Sequence, residues 1–296
     1  MKKLIFILIS ACAAQLCAQE ARVVAVHGHR GSRGTVPENT IPAFEAGLMA
    51  GVDVLELDLG VTKDNVVVIS HEPNVTPERC LDPEGKKLEK PVPLRSLTLA
   101  ELKKYDCGTL PHPKFPQQIP VPGERMPTLD EMFAMVEKSG YEAARRVEFN
   151  IETKIFPYDP AATPSPAEFA RLVVDVVKKH GMEARTIVQS FDYRTLREVK
   201  KLEPAIRTSQ LTEANLVDIV PALKSVKADF WSPDFKWTTP EAVKEVQAAG
   251  MKVAPWTINT KKEWELAIQA GVDAIITDYP AALIEYLDAR KAAKPQ

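Results

Sequence analysis

The sequence predicts an α/β fold: a TIM-type (β/α)8 barrel with a hairpin and a proline-rich insertion after its second strand. Eight short apolar runs rich in β-branched residues are spread along the chain, and amphipathic helical patterns separate most of them. The residues able to do chemistry fall at or near the C-terminal ends of these runs, the face on which barrel enzymes build their sites.

The first run, Val23 to Gly28, fits a strand covered on both faces and ends just before His29. A helical pattern follows from Thr40 to Ala50. In the second run, Val54 to Leu59, side chains alternate between faces, so Glu56 and Asp58 share one side and Leu55 and Leu57 the other. Lys63-Asp64-Asn65 is a turn signal, and Val66 to Ile69 runs back out of it. With Asp64 and Asn65 as the two central residues, the hairpin sets Asp58 opposite His71.

Between Glu72 and Pro127 the regular pattern stops: eleven prolines occur, and one short helix, Leu99 to Tyr105, is expected. Long loops of this kind are usually functional. Insertion 72–127 lies on the active-site side and reads as a wall or lid, with a structural excursion as the alternative. The alternation then resumes with strands Val147 to Thr153, Thr186 to Phe191, Arg207 to Leu211, Asp229 to Pro233, Lys252 to Thr257 and Val272 to Thr277. Helices are expected over Thr128 to Ser139, Ala167 to His180, Tyr193 to Leu202, Leu216 to Lys227, Pro240 to Ala249 and Lys261 to Ala270. Thr239-Pro240 is an N-cap followed by proline, and Gly181, Gly250 and Gly271 sit where helices stop.

At 296 residues and 45% apolar content, the chain suits one barrel domain over residues 20–296. Residues 1–19, with Lys2-Lys3, the apolar Leu4 to Ile9 and an Ala-rich stretch to Ala18, read as a secretory signal peptide too short to span a bilayer. The mature protein is therefore expected in the periplasm or outside the cell, without a stable transmembrane segment. A lipid anchor at Cys12, after Ile9-Ser10-Ala11, is the alternative. Taking Lys2 and Lys3 from the 38 basic residues leaves 36 against 40 acidic ones, about -4 net, which does not recommend nucleic acid as a partner. Cys80 and Cys107 then remain as an even pair in an oxidising compartment and are expected to form a disulfide, two separately buried thiols being the other reading.

Glu56 and Asp58 at one strand end suit a divalent cation with oxygen ligands, and Glu152 supplies a third acid. Asn150, Glu152 and Lys154 share a face, so a cation and an anionic ligand would both be served. Taken together, His29-Arg30-Gly31, Pro37-Glu38-Asn39-Thr40, Glu56-Leu57-Asp58, Thr62-Lys63-Asp64, His71, Asn150 to Lys154, Trp256 to Asn259 and Gly271 to Asp278 resemble the glycerophosphodiester phosphodiesterase family of phospholipase-C-like barrels. The likeness runs from residue 23 to about 285. It implies His29 and His71 as catalytic acid and base, Glu56, Asp58 and Glu152 as metal ligands, and Arg30 and Lys154 as phosphate-holding groups. One departure stands out: the family's usual Asp after the second histidine is Glu72, which leaves the support of His71 open.

The expected reaction is hydrolysis of glycerophosphodiesters such as glycerophosphocholine or glycerophosphoethanolamine to sn-glycerol 3-phosphate and an alcohol. His29 is favoured as base and His71 as acid, a pairing suited to near-neutral pH. Calcium is favoured over magnesium on compartment grounds. Glu38 is read as a substrate contact or a helix-dipole residue, and Phe191 and Trp256 as a wall beside the glycerol and head group or as barrel packing. His27 and Asp278 are read as structural, and His112 and His180 as having no part in the chemistry. Alternatives are a related barrel acting on lysophospholipid or polyglycerol phosphate, and a binding protein that kept the pocket without turnover.

Overall fold

The structure, a computed structural model, describes residues 24–293. The expected signal peptide and Cys12 lie outside the described residues. Strands β1 (Ala25–Gly28), β2 (Val54–Val61), β3 (Val67–Ile69), β4 (Asn74–Val75), β5 (Val92–Pro93) and β6 (Glu148–Thr153) are followed by β7 (Thr186–Ser190), β8 (Arg207–Thr212), β9 (Phe230–Pro233), β10 (Lys252–Val253) and β11 (Ala274–Thr277). Eight of them form a parallel path in the order β10-β9-β8-β7-β6-β2-β1-β11, with β3 antiparallel on β2. Backbone bonds from Asp273 N to Val253 O (3.0 Å) and Ile276 N to Pro255 O (3.1 Å) close the ring between β10 and β11. The expected strand Lys252 to Thr257 is shortened to two residues: Ala254 N and Trp256 N still donate to Trp231 O and Pro233 O of β9, but Pro233 has no N–H with which to continue the ladder.

Helices α1 (Ile41–Ala50), α2 (Leu99–Leu102), α3 (Leu129–Lys138), α4 (Pro166–Lys179), α5 (Tyr193–Leu202), α6 (Ile219–Ser225), α7 (Pro240–Ala248), α8 (Lys261–Ala270) and α9 (Pro280–Ala292) complete the fold. Local signals explain many of their ends. Thr128 with Glu131, and Thr260 with Glu263, form reciprocal capping boxes that satisfy the free first-turn donors of α3 and α8. Thr239 caps α7 ahead of Pro240, as expected. Helix α6 starts three residues later than expected, after Asp218, where Pro221 falls in the first turn and its missing N–H costs nothing. Helix α9, absent from the sequence reading, packs against α1 and β1.

Alternation along the strands divides the interior in two. Outward-facing Leu55, Leu57, Phe149 and Ile151 pack against Phe44, Leu48 and Phe133 of the helices in one large apolar cluster, with Phe133 edge-on to Phe149 at 4.9 Å. Inside the ring, Ala25, Ile187, Phe230, Ala254 and Ala274 form a small apolar plug at the N-terminal end. Toward the other end the inward positions are polar, and the barrel opens into the site.

The hairpin differs from expectation by one residue. Leu59 pairs with Ile69 and Val61 with Val67, so Asp58 faces Ser70 and His71 lies beyond the ladder. The connection holds three residues, not two: Asn65 takes a left-handed conformation (φ 61°), and Val66 N donates to Thr62 Oγ1 at 3.0 Å. This is the three-residue turn whose extra αL residue shifts register.

Insertion 72–127 carries β4, β5 and α2 around its own apolar cluster of Val75, Cys80, Leu88, Leu94, Leu102 and Met126 with Val68. Cys80 and Cys107 are joined in a disulfide. Helix α2 stops at Leu102, short of Tyr105, as Lys104 N and Tyr105 N bond back to carbonyls three residues earlier. The insertion is tied to the barrel rim through Gln118 Nε2 to Arg33 O (2.7 Å), Ile119 N to Thr35 O (2.8 Å) and Gln117 Nε2 to the Tyr279 hydroxyl (2.6 Å).

Candidate active site

At the end of β1 the backbone turns sharply. Arg30 and Gly31 have φ of 49° and 86°, which directs the Arg30 amide onto Glu56 Oε2 at 2.8 Å. A side chain at Gly31 has no room: its Cβ would lie 2.5 Å from the Ala43 carbonyl carbon. The turn places the buried His29 imidazole with Nδ1 2.6 Å from Asp278 Oδ1 and Nε2 4.0 Å from Glu56 Oε2.

Parallel register aligns Glu56 with Asn150 and Asp58 with Glu152. Glu56, Asp58 and Glu152 each offer an oxygen within 4.8 Å of the others, and all three are buried. Glu56 accepts from Gln189 Nε2 (2.7 Å), and Asp58 from Asn39 Nδ2 (2.9 Å). Lys154 Nζ sits 2.7 Å from Glu152 Oε1 and 3.2 Å from Asp58 Oδ1, and Arg30 Nε lies 3.1 Å from Asp58 Oδ2.

Negative charge exceeds what these two cations neutralise, because Arg30 also serves Glu38. Burial together with the Asp58 charge pushes the Glu56 carboxyl well above its ordinary range. Glu152 is pushed up to about 7, by burial first and then by Asp58, despite Lys154. For Asp58, burial is outweighed by Lys154 and Arg30, which hold it well below the usual carboxylate range. Three converging buried carboxylates with uncompensated charge are a donor set that fits a hard divalent cation.

His71 reaches the same cavity from beyond the hairpin. Its Nδ1 is 2.7 Å from Glu72 Oε1, so the longer acid at the family's Asp position does support the ring, although Glu72 is half-exposed. Burial lowers the affinity of both His29 and His71 for a proton, with Asp278 and Asp58 respectively acting against it.

A cavity of about 380 Å³ is lined by His29, Arg30, Glu56, His71, Glu152, Lys154, Phe191 and Trp256. The last two meet edge-on at 5.7 Å, with Trp256 fixed by a bond from Nε1 to Ser232 O at 2.9 Å. Phe191 is 41% exposed, so the wall is open to solvent on its side.

Glu38 is not brought to this cavity. It is buried behind Arg30, where its carboxylate takes Arg30 Nη1 at 2.5 Å, Arg33 Nε at 2.7 Å and Arg79 Nη1, with His112 Nε2 at 3.5 Å. The expectation of a direct substrate contact fails because three guanidinium groups already enclose it. His27 is also inside the barrel but borders a separate depression at the opposite end, and burial lowers its pKa to about 4.

Several residues of the site were missed or underread in the sequence. Asp278, expected to be structural, bonds His29, and Asn259, Gln189 and Asn39 each hold a carboxylate in place. Position at a strand end was the available signal for Asp278, since β11 lies beside β1.

A parallel barrel with two imidazoles and a buried acidic trio at its C-terminal mouth defines the class of barrel enzymes that act on phosphate esters. The profile of the Glycerophosphoryl diester phosphodiesterase family matches residues 29–282. The chain belongs to that family and is a phosphoric diester hydrolase of its kind. It is 34% identical over 259 residues to a glycerophosphodiester phosphodiesterase of Caldanaerobacter subterraneus subsp. tengcongensis, covering 88% of this chain and 96% of the relative. A crystal structure from Silicibacter pomeroyi, whose protein bears the same family description, superposes with a TM-score of 0.84 at 31% identity, covering 91% and 94% of the two chains. An Oleispira antarctica phosphodiesterase in complex with the product sn-glycerol-3-phosphate superposes with a TM-score of 0.72 at 25% identity, covering 89% and 96%.

Proposed function

We propose that the protein is a divalent-metal-dependent hydrolase that cleaves glycerophosphodiesters such as glycerophosphocholine and glycerophosphoethanolamine to sn-glycerol 3-phosphate and a free alcohol. The observation that carries this reading is the convergence of His29, His71, Glu56 and Glu152 on one cavity, with Asp58 completing the acidic trio beside it. The Oleispira relative, which holds the glycerol phosphate product, supports the substrate class.

Glu56, Asp58 and Glu152 would hold the cation, which when bound supplies Lewis-acid polarisation of a nonbridging phosphoryl oxygen. Calcium is the cation we favour. Arg30 and Lys154 face the same space and offset the remaining phosphate charge, with Glu38 fixing the Arg30 guanidinium from behind. His29 takes the proton of the attacking oxygen, from water or from the glycerol hydroxyl through a cyclic phosphate. His71 gives a proton to the departing alkoxide. Phe191 and Trp256 form the side wall for the organic part of the diester.

We further place the mature protein in an oxidising compartment outside the cytoplasm. The Cys80–Cys107 disulfide supports this. No helix among the described residues is long and apolar enough to cross a membrane.

The test is release of glycerol phosphate from glycerophosphocholine, with and without chelator, alongside H29A and H71A. Loss of turnover in all three arms is expected. Full activity in both histidine variants would overturn the catalytic assignment, and tight binding of the diester without turnover in the unaltered protein would favour a binding protein.

A further inference from the structure

Asp278 approaches His29 from the last strand of the barrel, 249 residues further along the chain. Gly28 pairs with Thr277 across β1 and β11, and His29 N donates to Thr277 O at 2.9 Å, so the two side chains leave the sheet as neighbours. Asn259 stands behind them. Its Oδ1 accepts from Asp278 N (2.9 Å) and from Thr277 Oγ1 (3.2 Å), which fixes the amide so that Nδ2 donates to Asp278 Oδ2 at 2.7 Å. One Asp278 oxygen is thereby occupied by Asn259, and the other is left for the imidazole.

We infer that Asp278, oriented by Asn259, is a positioning residue that keeps the His29 proton on Nδ1 and leaves Nε2 bare toward the cavity, which makes His29 the base. An ionised carboxylate only accepts hydrogen bonds, so the 2.6 Å contact requires N–H on Nδ1, and a neutral imidazole then carries its lone pair on Nε2. Arg33 Nη1, 3.8 Å from Asp278 Oδ1, favours the ionised form of the acid. His71 is held differently: its carboxylate comes from the adjacent residue, Glu72, whose side chain is 44% exposed. The two imidazoles are thus unequal, one locked from within the barrel and one supported at the rim.

In the reaction, Nε2 gains the proton of the attacking oxygen as the new P–O bond forms. The P–O bond to the alcohol breaks, and its oxygen takes the proton that His71 gives up. The imidazolium at His29 keeps its Nδ1–H on Asp278 throughout, and the two histidines return to their starting states by proton exchange with solvent.

This inference rests on the reading of His29 as a catalytic group, so the experiment separates the two. D278N, N259L and H29A are prepared in the full chain, with kcat and KM measured on glycerophosphocholine in the presence of calcium. The 15N spectrum of His29 in histidine-labelled protein is recorded in parallel. Asparagine at 278 can donate its amide to Nδ1, so D278N is expected to move the proton to Nε2. The kcat should fall on the order of 10³- to 10⁴-fold, the loss seen when a dyad's tautomer is reversed, with KM little changed. N259L leaves Asp278 present but unsupported and is expected to lower kcat about tenfold, again without a matching rise in KM. A D278N enzyme with kcat within about fivefold of the unaltered protein, or with an unchanged His29 spectrum, would overturn the proposal. If D278N does not fold, N259L decides: an unchanged kcat overturns it. H29A retaining turnover would remove the base itself, whereas an inactive H29A beside an active D278N removes only the positioning role.

Discussion

Glu38 and Arg79 join the barrel to the proline-rich insertion: one buried carboxylate oxygen of Glu38 accepts from the guanidinium of Arg79 and from that of Arg30, which lines the cavity. The insertion is thereby coupled to the site. Burial alone would raise the Glu38 pKa, but Arg79 and Arg30 hold it well below the ordinary carboxylate range.

Removing that carboxylate leaves Arg30, Arg33 and Arg79 without the buried acid they share, although Asp58 still faces Arg30 and Asp278 lies near Arg33. E38A is expected to lose about 3 to 5 kcal/mol of stability, the usual consequence of breaking a buried ion pair from one side. Chemical denaturation measures this. Because the folded-state pKa is depressed, the stabilisation is present above the unfolded carboxyl's pKa and is lost as pH falls toward the folded value. An unchanged denaturation midpoint in E38A would show that the guanidinium groups do not depend on it.

The disulfide should matter to both stability and turnover. Cys80 and Cys107 are 27 residues apart, and closing such a loop contributes about 3.5 kcal/mol in the chain-entropy model. C80S/C107S is expected to lose roughly 2 to 4 kcal/mol. Since Arg79 is next to Cys80, kcat should also fall on reduction of the unaltered protein. Equal activity with and without reductant would separate the bridge from the site.

The acidic trio should bind a cation and depend on it. E152Q is expected to weaken calcium binding, read by calorimetry, by about tenfold or more, because one of three converging oxygen donors loses its charge. Chelator should abolish turnover, and added calcium should restore it. Retention of full calcium affinity in E152Q would place the cation elsewhere.

The pH dependence has a sign fixed by burial. On the proposed mechanism one histidine is neutral and the other protonated, so kcat/KM is expected to follow a bell centred between their two pKa values. His29 and His71 are both lowered by burial from the ordinary value of 6.5. The bell is therefore expected to centre below pH 6.5, whichever histidine is the acid. A maximum above pH 7.5 would contradict the environments described for the two rings.

Gly31 tests the turn that delivers His29 and Arg30. G31A would need a β-carbon 2.5 Å from the Ala43 carbonyl carbon and a residue other than glycine at φ 86°. A loss of at least about 3 kcal/mol is expected, combining left-handed strain with displacement of α1. Thermal unfolding indistinguishable from the unaltered protein would mean the turn relaxes freely.

The barrel was legible because parallel strands buried on both faces leave β-branched runs that periodicity detects without tertiary information. Helices α5 and α8 matched at both ends, since Asp192 and Thr260 cap them and Gly271 ends the second. The hairpin register slipped because it depended on whether Asn65 adopted a left-handed conformation, which two- and three-residue turns leave open. Glu38 was misread for a different reason: two of its partners, Arg79 and His112, lie in an insertion whose path no periodic pattern specifies. Asp278 was underread because its role exists only once β11 lies beside β1.

That pairing of first and last strands also ties the candidate site to the last part of the chain to be synthesised. A chain emerging in order of synthesis has both histidines and all three acids long before Asp278 exists, and β1 keeps an open edge until β11 arrives. A shortened chain lacking its final strand would therefore carry His29, His71 and the three acids with the β1 edge unpaired and without the Asp278 carboxylate against His29.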